Sequence, residues 1–214
     1  MRAFAVCAAG LLMCCVLVII LYLWIDRPVA YFVHDELGDY RAIFDLPARL
    51  PKIMGPLVAT GTLITGVRAL MKRPVKGVQV AIVLSALSWA VSAIPENWLK
   101  FAFGRTWPET WMQDNPSLIR DHVYGFNPFH GGPGYAAFPS GHMVAIGAIV
   151  SVFWFLHPRS RAICAICIAI VFIGQLGADY HFAGDLIAGG FLGFSVGWLI
   201  TVLWNAAPRP FRRL

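Results

Sequence analysis

Charge is scarce in this chain: of 214 residues only 13% are Asp, Glu, Lys or Arg and 58% are hydrophobic, where about 25% charged and about 45–50% apolar is usual for a soluble domain. With a mean hydropathy of +0.68, that scarcity excludes an ordinary soluble fold and intrinsic disorder alike. Cysteine is also sparse, and Cys7, Cys14, Cys15, Cys164 and Cys167 all fall inside apolar runs, which argues against a disulfide framework and a Cys-rich zinc site. Cys164 and Cys167 have redox-motif spacing but no βαβ context, so all five read as packing residues. There is no H-E-x-x-H or comparable ligand pair, so His122, His130, His142 and His181 do not read as the ligands of a metal hydrolase; no metal and no other cofactor is expected. No A-x-A site or lipoprotein-like box precedes Cys14 or Cys15, and the first apolar run reads as a retained anchor rather than a signal peptide. No internal repeat is found, which favours one membrane domain over 1–214.

Long hydrophobic runs are what the chain does have. Six stretches have the length and polarity of bilayer spans, roughly 4–25, 53–71, 77–95, 141–156, 162–180 and 185–205, each near the ~20 residues a helix needs. The expected fold is therefore an all-α integral membrane protein, a bundle of six transmembrane helices. Short connections at 72–76 and 157–161, with Pro74 and Pro158 as breakers, make the helices on either side antiparallel neighbours. Arg2, Arg68, Lys72, Arg73, Lys76, Arg159, Arg161, Arg209, Arg212 and Arg213 gather on one side with no acid, while all eleven acids lie on the other. Basic residues near span ends favour the cytoplasm. Both termini are thus expected in the cytoplasm of a bacterial-type inner membrane. The net charge of +6 then reflects topology and anionic-lipid attraction; no nucleic-acid partner is expected.

The outer segments, 26–52 and 96–140, are the long ones, and the second mixes Gly and Pro with Trp98, Trp107, Trp111, Tyr124, Phe126, Phe129 and Tyr135. An interfacial aromatic belt accounts for some of these rings. It does not account for three polar clusters on the same side. Lys100 and Arg105 follow the third span; Pro139-Ser140-Gly141-His142 opens the fourth; His181 and Asp185 open the sixth. The Ser140–Gly141 helix start offers free N–H groups and a positive dipole end to an anion such as phosphate, and His142 beside it is placed to move a proton. On a helix, His181 and Asp185 share a face; a carboxylate on one ring nitrogen leaves the other free as nucleophile or base. Lys100 and Arg105 suit phosphate oxygens, or snorkel at a helix end. Because the ionisable residues gather at one face and none lies mid-span, a transporter pathway is disfavoured. Gly193 and Gly197 have small-residue spacing, which reads as packing within the bundle.

Taken together, Lys100…Arg105…Pro108, Pro139-Ser140-Gly141-His142 and His181-x-x-x-Asp185 resemble the three motifs of the type 2 phosphatidic acid phosphatase superfamily, which includes lipid phosphate phosphatases, bacterial acid phosphatases and vanadium haloperoxidases. The resemblance covers roughly 53–205 and implies an active site at the outer face. It implies metal-independent hydrolysis of a lipid phosphomonoester or diphosphate. His181 would attack phosphorus, Asp185 would hold its ring, and His142 would protonate the leaving group and then activate water. Lys100, Arg105, Ser140 and the Gly141 N–H would cradle the phosphoryl oxygens. Two positions depart from the family pattern: Trp107 stands where the first motif usually has arginine, and Gln175, preceded by Gly174 where serine is common, replaces an arginine six residues before His181. Gln175 still donates hydrogen bonds, and Arg120, His122 and His130 are the loop candidates to restore charge. Candidate substrates are a polyprenyl diphosphate, phosphatidate or phosphatidylglycerol phosphate, and a lipid A-like glycolipid phosphate; phosphotransfer to another lipid and non-catalytic lipid binding are the alternatives.

Overall fold

A run of twenty apolar residues in hydrocarbon satisfies its backbone by coiling into a helix, and in the computed structural model every long apolar run is helical, with loops and isolated bridges over most of 104–140. It describes residues 2–111 and 113–208, with the side chains of 2–6 outside the description. Arg209, Arg212, Arg213 and the Arg2 side chain, which contribute to the charge asymmetry, therefore lie outside the described residues. Nine α-helices are described: α1 (Arg2–Ile20), extended by a π turn over Leu21–Ile25; α2 (Asp26–Leu37); α3 (Arg41–Ala48); α4 (Leu50–Leu70); α5 (Gly77–Phe103); the single turn α6 (Leu118–Asp121); α7 (Gly141–Leu156); α8 (Arg161–Gly177); and α9 (Ala183–Ala206).

Four helical stretches are long and apolar enough to cross a membrane: Cys7–Leu70, Gly77–Phe103, Pro158–Gly177 and Ala183–Ala206. The first contains two of the six runs expected as spans, linked by α2 and α3 with hardly a break. That linker, 26–52, was expected only as an outer segment; it is helical, with Asp26, Ala30 and Val33 spaced four and three residues apart on the one face that α2 buries. Helix α7 has only 16 residues, yet Met143 through Val152 are all buried. It is the central helix, sheathed by α4, α5, α8 and α9.

The bundle is apolar outside as well as inside, with small polar residues among the buried ones. Leu12, Met13, Leu63, Leu70 and Ile94 are exposed, whereas Ser85, Ser88, Ser92 and Ser151 are wholly buried, and Ser85 Oγ donates to the Ile149 carbonyl on α7 at 2.9 Å. Small residues bring the helices together. A Cβ on Gly193 or Gly197 would collide with Val144 or Ser151 of α7, so this glycine stripe serves packing within the bundle. Helices α4 and α5 form an antiparallel hairpin, Gly55 against Trp89 and Gly61 against Ile82. Helix α5 runs eight residues beyond the expected end at 95 because Glu96 and Lys100 pair across one turn at 2.9 Å. It stops at Gly104, whose φ of +53° closes the helix in the left-handed region. Asp26, Glu96, Arg105, Ser140 and His181 thus lie at one end of the bundle. The basic turns at 72–76 and 157–161 lie at the other.

Candidate active site

The cavity at the first end has a volume of about 770 Å³, and His142, His181, Gly141, Lys100 and Gln175 are among the residues that line it. His142 stands one residue into α7, whose start is set by Ser140: the Ser140 side chain accepts from the Met143 N–H at 3.5 Å, and its own N–H donates to the Asp185 carbonyl at 3.1 Å. The Phe138–Pro139 peptide bond leading into this turn is cis. Ser140 is wholly buried and does not line the cavity, so its hydroxyl is spent on the helix cap rather than offered to an anion. Gly141 does reach the wall; a Cβ there would come within 2.6 Å of Glu96 Oε1 and 3.3 Å of Lys100 Nζ. Lys100 is itself held by Glu96.

His181 ends the short loop between α8 and α9 and is only 5% exposed. Its Nδ1 lies 3.5 Å from Asp185 Oδ2, too long for a settled hydrogen bond, and is otherwise without a partner. The Trp107 ring packs against the His181 ring at 5.0 Å between centroids, and its indole N–H donates to the Pro133 carbonyl at 2.8 Å. An aromatic wall therefore stands at the position where the sequence comparison anticipates a guanidinium.

Arg105 is the principal correction. Expected as a phosphate ligand, it is wholly buried and does not line the cavity. Its guanidinium donates to Asp185 Oδ1 at 2.5 Å and to Asp26 Oδ2 at 2.7 Å, boxed by the rings of Tyr22, Tyr124, Phe126 and Phe182. Burial pushes the Asp26 carboxyl above its usual range, against the pull of Arg105. A buried arginine needs this pairing because desolvating a lone charge costs several kcal/mol. Asp26 also accepts from the Gly184 N–H at 3.0 Å, so α2 clamps the start of α9. Arg105 is thus paired with Asp185 and stands away from the cavity wall.

The loop candidates are elsewhere. Arg120 pairs with Asp114 and Asp121, His122 is exposed at the left-handed end of α6, and exposed His130 packs against Tyr135; none lines the cavity. Gln175 does, but its amide donates to the Ala48 carbonyl at 3.1 Å. The cavity's further cations are Arg49 and Lys52, at the α3–α4 junction, which sequence motifs did not single out. Arg49 pairs with Asp45 at 2.5 Å, and Asp45 also accepts from the Tyr180 hydroxyl at 2.8 Å. Burial works to raise Asp45, but the hydrogen bonds from Tyr180 and Arg49 prevail and hold its carboxyl below the usual range. Lys52 forms no ion pair with any described residue. This junction reaches the cavity because α3 lies directly on α8: a Cβ on Gly174 would strike the Ala48 backbone, and one on Gly177 the Phe44 ring. No spacing in the sequence marks this contact, because Gln175 and Ala48 lie 127 residues apart.

The family model for the PAP2 superfamily matches residues 81–209, more than half of the chain. The chain belongs to the PAP2 superfamily. It is 33% identical over 115 residues to a lipid A 1-phosphatase of Rhizobium etli, covering 52% of this chain and 45% of that protein. A lipid A 1-phosphatase of Rhizobium johnstonii is 33% identical over 99 residues, covering 46% and 37%. The matches thus span less than half the length of these curated relatives. Among solved structures, a transmembrane PAP2-type phosphatidylglycerolphosphate phosphatase from Bacillus subtilis superposes with a TM-score of 0.61 at 14% identity, covering 95% of this chain and 98% of that one. With its four long apolar helical stretches, this PAP2 protein is a multi-pass membrane protein. Asp26, Arg49 and Lys52 all lie outside the family-matched region.

Proposed function

We propose that this PAP2 protein is an integral-membrane lipid phosphatase that hydrolyses a lipid phosphomonoester or diphosphate through a phosphohistidine on His181. The observation that carries the reading is the shared cavity: two histidines, one backed by a buried carboxylate, share its wall with Arg49, Lys52 and Lys100.

In this mechanism the lipid phosphate sits between Lys52, Arg49 and Lys100, with the Gly141 N–H at the free start of α7 facing a phosphoryl oxygen. Nδ1 of His181 faces Asp185, which leaves Nε2 to attack phosphorus. The N–P bond forms as the bond to the leaving oxygen breaks, and protonated His142 gives that oxygen its proton. Neutral His142 then takes a proton from water, whose oxygen displaces Nε2 and releases inorganic phosphate. Phosphoryl transfer asks for positioning and charge more than covalent chemistry, and no step needs a metal. Arg105, fixed between Asp26 and Asp185, holds the Asp185 carboxylate in place.

Six membrane crossings suit this role: α1, α4, α5, α7, α8 and α9, in one domain with both ends at the basic face of a bacterial-type inner membrane and the cavity at the opposite, outer face. A lipid tail then stays in the outer leaflet while the head group enters the cavity laterally. The lipid A 1-phosphatases among its relatives support a glycolipid phosphate as the first substrate to try. The test is chemical trapping. Quenching the purified protein in alkaline SDS after reaction with a ³²P-labelled lipid phosphate is expected to leave label on the wild type that is stable to alkali and lost on later acid treatment, and none on His181→Ala. Phosphate release by His181→Ala at the wild-type rate would overturn the reading; label passing to an added lipid instead of water would make it a phosphotransferase.

A further inference from the structure

A second group of polar side chains meets behind the His181 loop, outside the cavity. His34 comes from α2, Glu109 from the loop after α5, and Asp179 from the turn between α8 and α9, and one donor atom of each lies within 4.8 Å of the others. None of the three lines the cavity.

Their geometry is not that of a hydrogen-bonded cluster. Asp179 is 2% exposed, and its Oδ2 is buried without a partner. His34 Nδ1, also buried, lies 3.1 Å from Glu109 Oε2, a charge contact that does not make a hydrogen bond. Two buried polar atoms left unsatisfied would each cost roughly 1–3 kcal/mol. Nor does the surrounding charge pair off both carboxylates: Arg41 comes within ion-pair distance of Glu109 alone, at 3.7 Å, and its guanidinium lies over the Trp111 ring at 4.3 Å. The Trp111 indole N–H is committed to the Asp179 backbone carbonyl, not its carboxylate. Three ligand-type side chains brought together from three separate elements, with the Asp179 Oδ2 buried and unsatisfied beside them, are what a cation requires. At zinc-ligand bond lengths of about 2.0–2.2 Å, tetrahedral donors sit roughly 3.3 Å apart, close to the His34–Glu109 separation.

We propose that His34, Glu109 and Asp179 form a structural site for a divalent transition cation, zinc by its one imidazole and two carboxylates, with water in the remaining position. The ion ties α2 and the loop after α5 to the turn that carries His181, two residues beyond Asp179, and takes no part in phosphoryl transfer. The site does not rest on the proposed phosphatase activity.

The test uses the full chain in detergent, stripped with chelator, dialysed, and titrated with Zn²⁺ while bound metal and thermal midpoint are recorded. One equivalent of zinc per chain, with a raised midpoint, is expected for the wild type and for His181→Ala. His34→Ala, a change on a partly exposed helix face, and Asp179→Asn are expected to weaken binding tenfold or more, as loss of even an outer-shell partner costs 10–100-fold. No saturable zinc binding, zinc retained undiminished by His34→Ala, or zinc lost in His181→Ala would each overturn the site; the last would put the ion in the cavity instead.

Discussion

At the scale of single residues, charge is redistributed around a histidine pair. Lys52 and Arg49 stand on the cavity wall in a chain whose usual arginine positions hold Trp107 and Gln175. A charge-assisted hydrogen bond contributes about 1.5–3 kcal/mol, so Lys52→Met is expected to lower kcat/KM for a lipid phosphate about 10- to 100-fold with no loss of thermal stability; steady-state kinetics on the purified protein check it. Asp26 has the opposite profile. Removing one partner of a buried pair costs about 3–5 kcal/mol, so Asp26→Ala should markedly lower the thermal midpoint in detergent, because Arg105 then keeps only Asp185. Arg105 shows where sequence reading reached its end: its side chain has the chemistry of a phosphate ligand, but 79 and 80 residues separate it from the carboxylates that bury it. Spacing reveals contacts within a helix and is silent about partners that only folding brings together.

At the scale of elements, hydropathy marks where helices run, because burial in lipid demands an apolar length. It marks their ends less well. The Glu96–Lys100 pair and the Gly104 cap, which carry α5 to Phe103, are polar features beyond the apolar window. The amphipathic helices α2 and α3 fall outside it for the same reason, and they bring Asp26, His34, Arg49 and Lys52 to the site end. Helix α3 holds its place through close backbone contact at Gly174. Overpacking of a tight contact costs about 1–3 kcal/mol; Gly174→Ala is therefore expected to reduce both the thermal midpoint and kcat/KM by shifting Arg49 and Lys52. Gly66→Ala, which meets open space, should lower neither. Equal behaviour of the two variants would refute the docking role of α3.

At the scale of the whole molecule, α1 to α4 complete a site whose histidines lie in the PAP2-matched region 81–209. The ordered motifs at one end of the bundle were legible because the hydrophobic runs fix which end each helix terminus occupies. The substrate was not, since a lipid head group is recognised by a cavity assembled from the α3–α4 junction, α4, α5, the loop after α5, α7, α8 and the loop before α9. The central claim is that lipid phosphate hydrolysis depends on His181. The most direct measurement is inorganic phosphate release, with lipid product analysis, by purified wild type and His181→Ala on matched panels of a lipid A-type glycolipid phosphate, phosphatidylglycerol phosphate and a polyprenyl diphosphate. The account predicts release by the wild type from at least one of these, the glycolipid first, and none by His181→Ala; all three lipids recovered intact from the wild type, or equal release by the variant, would contradict it.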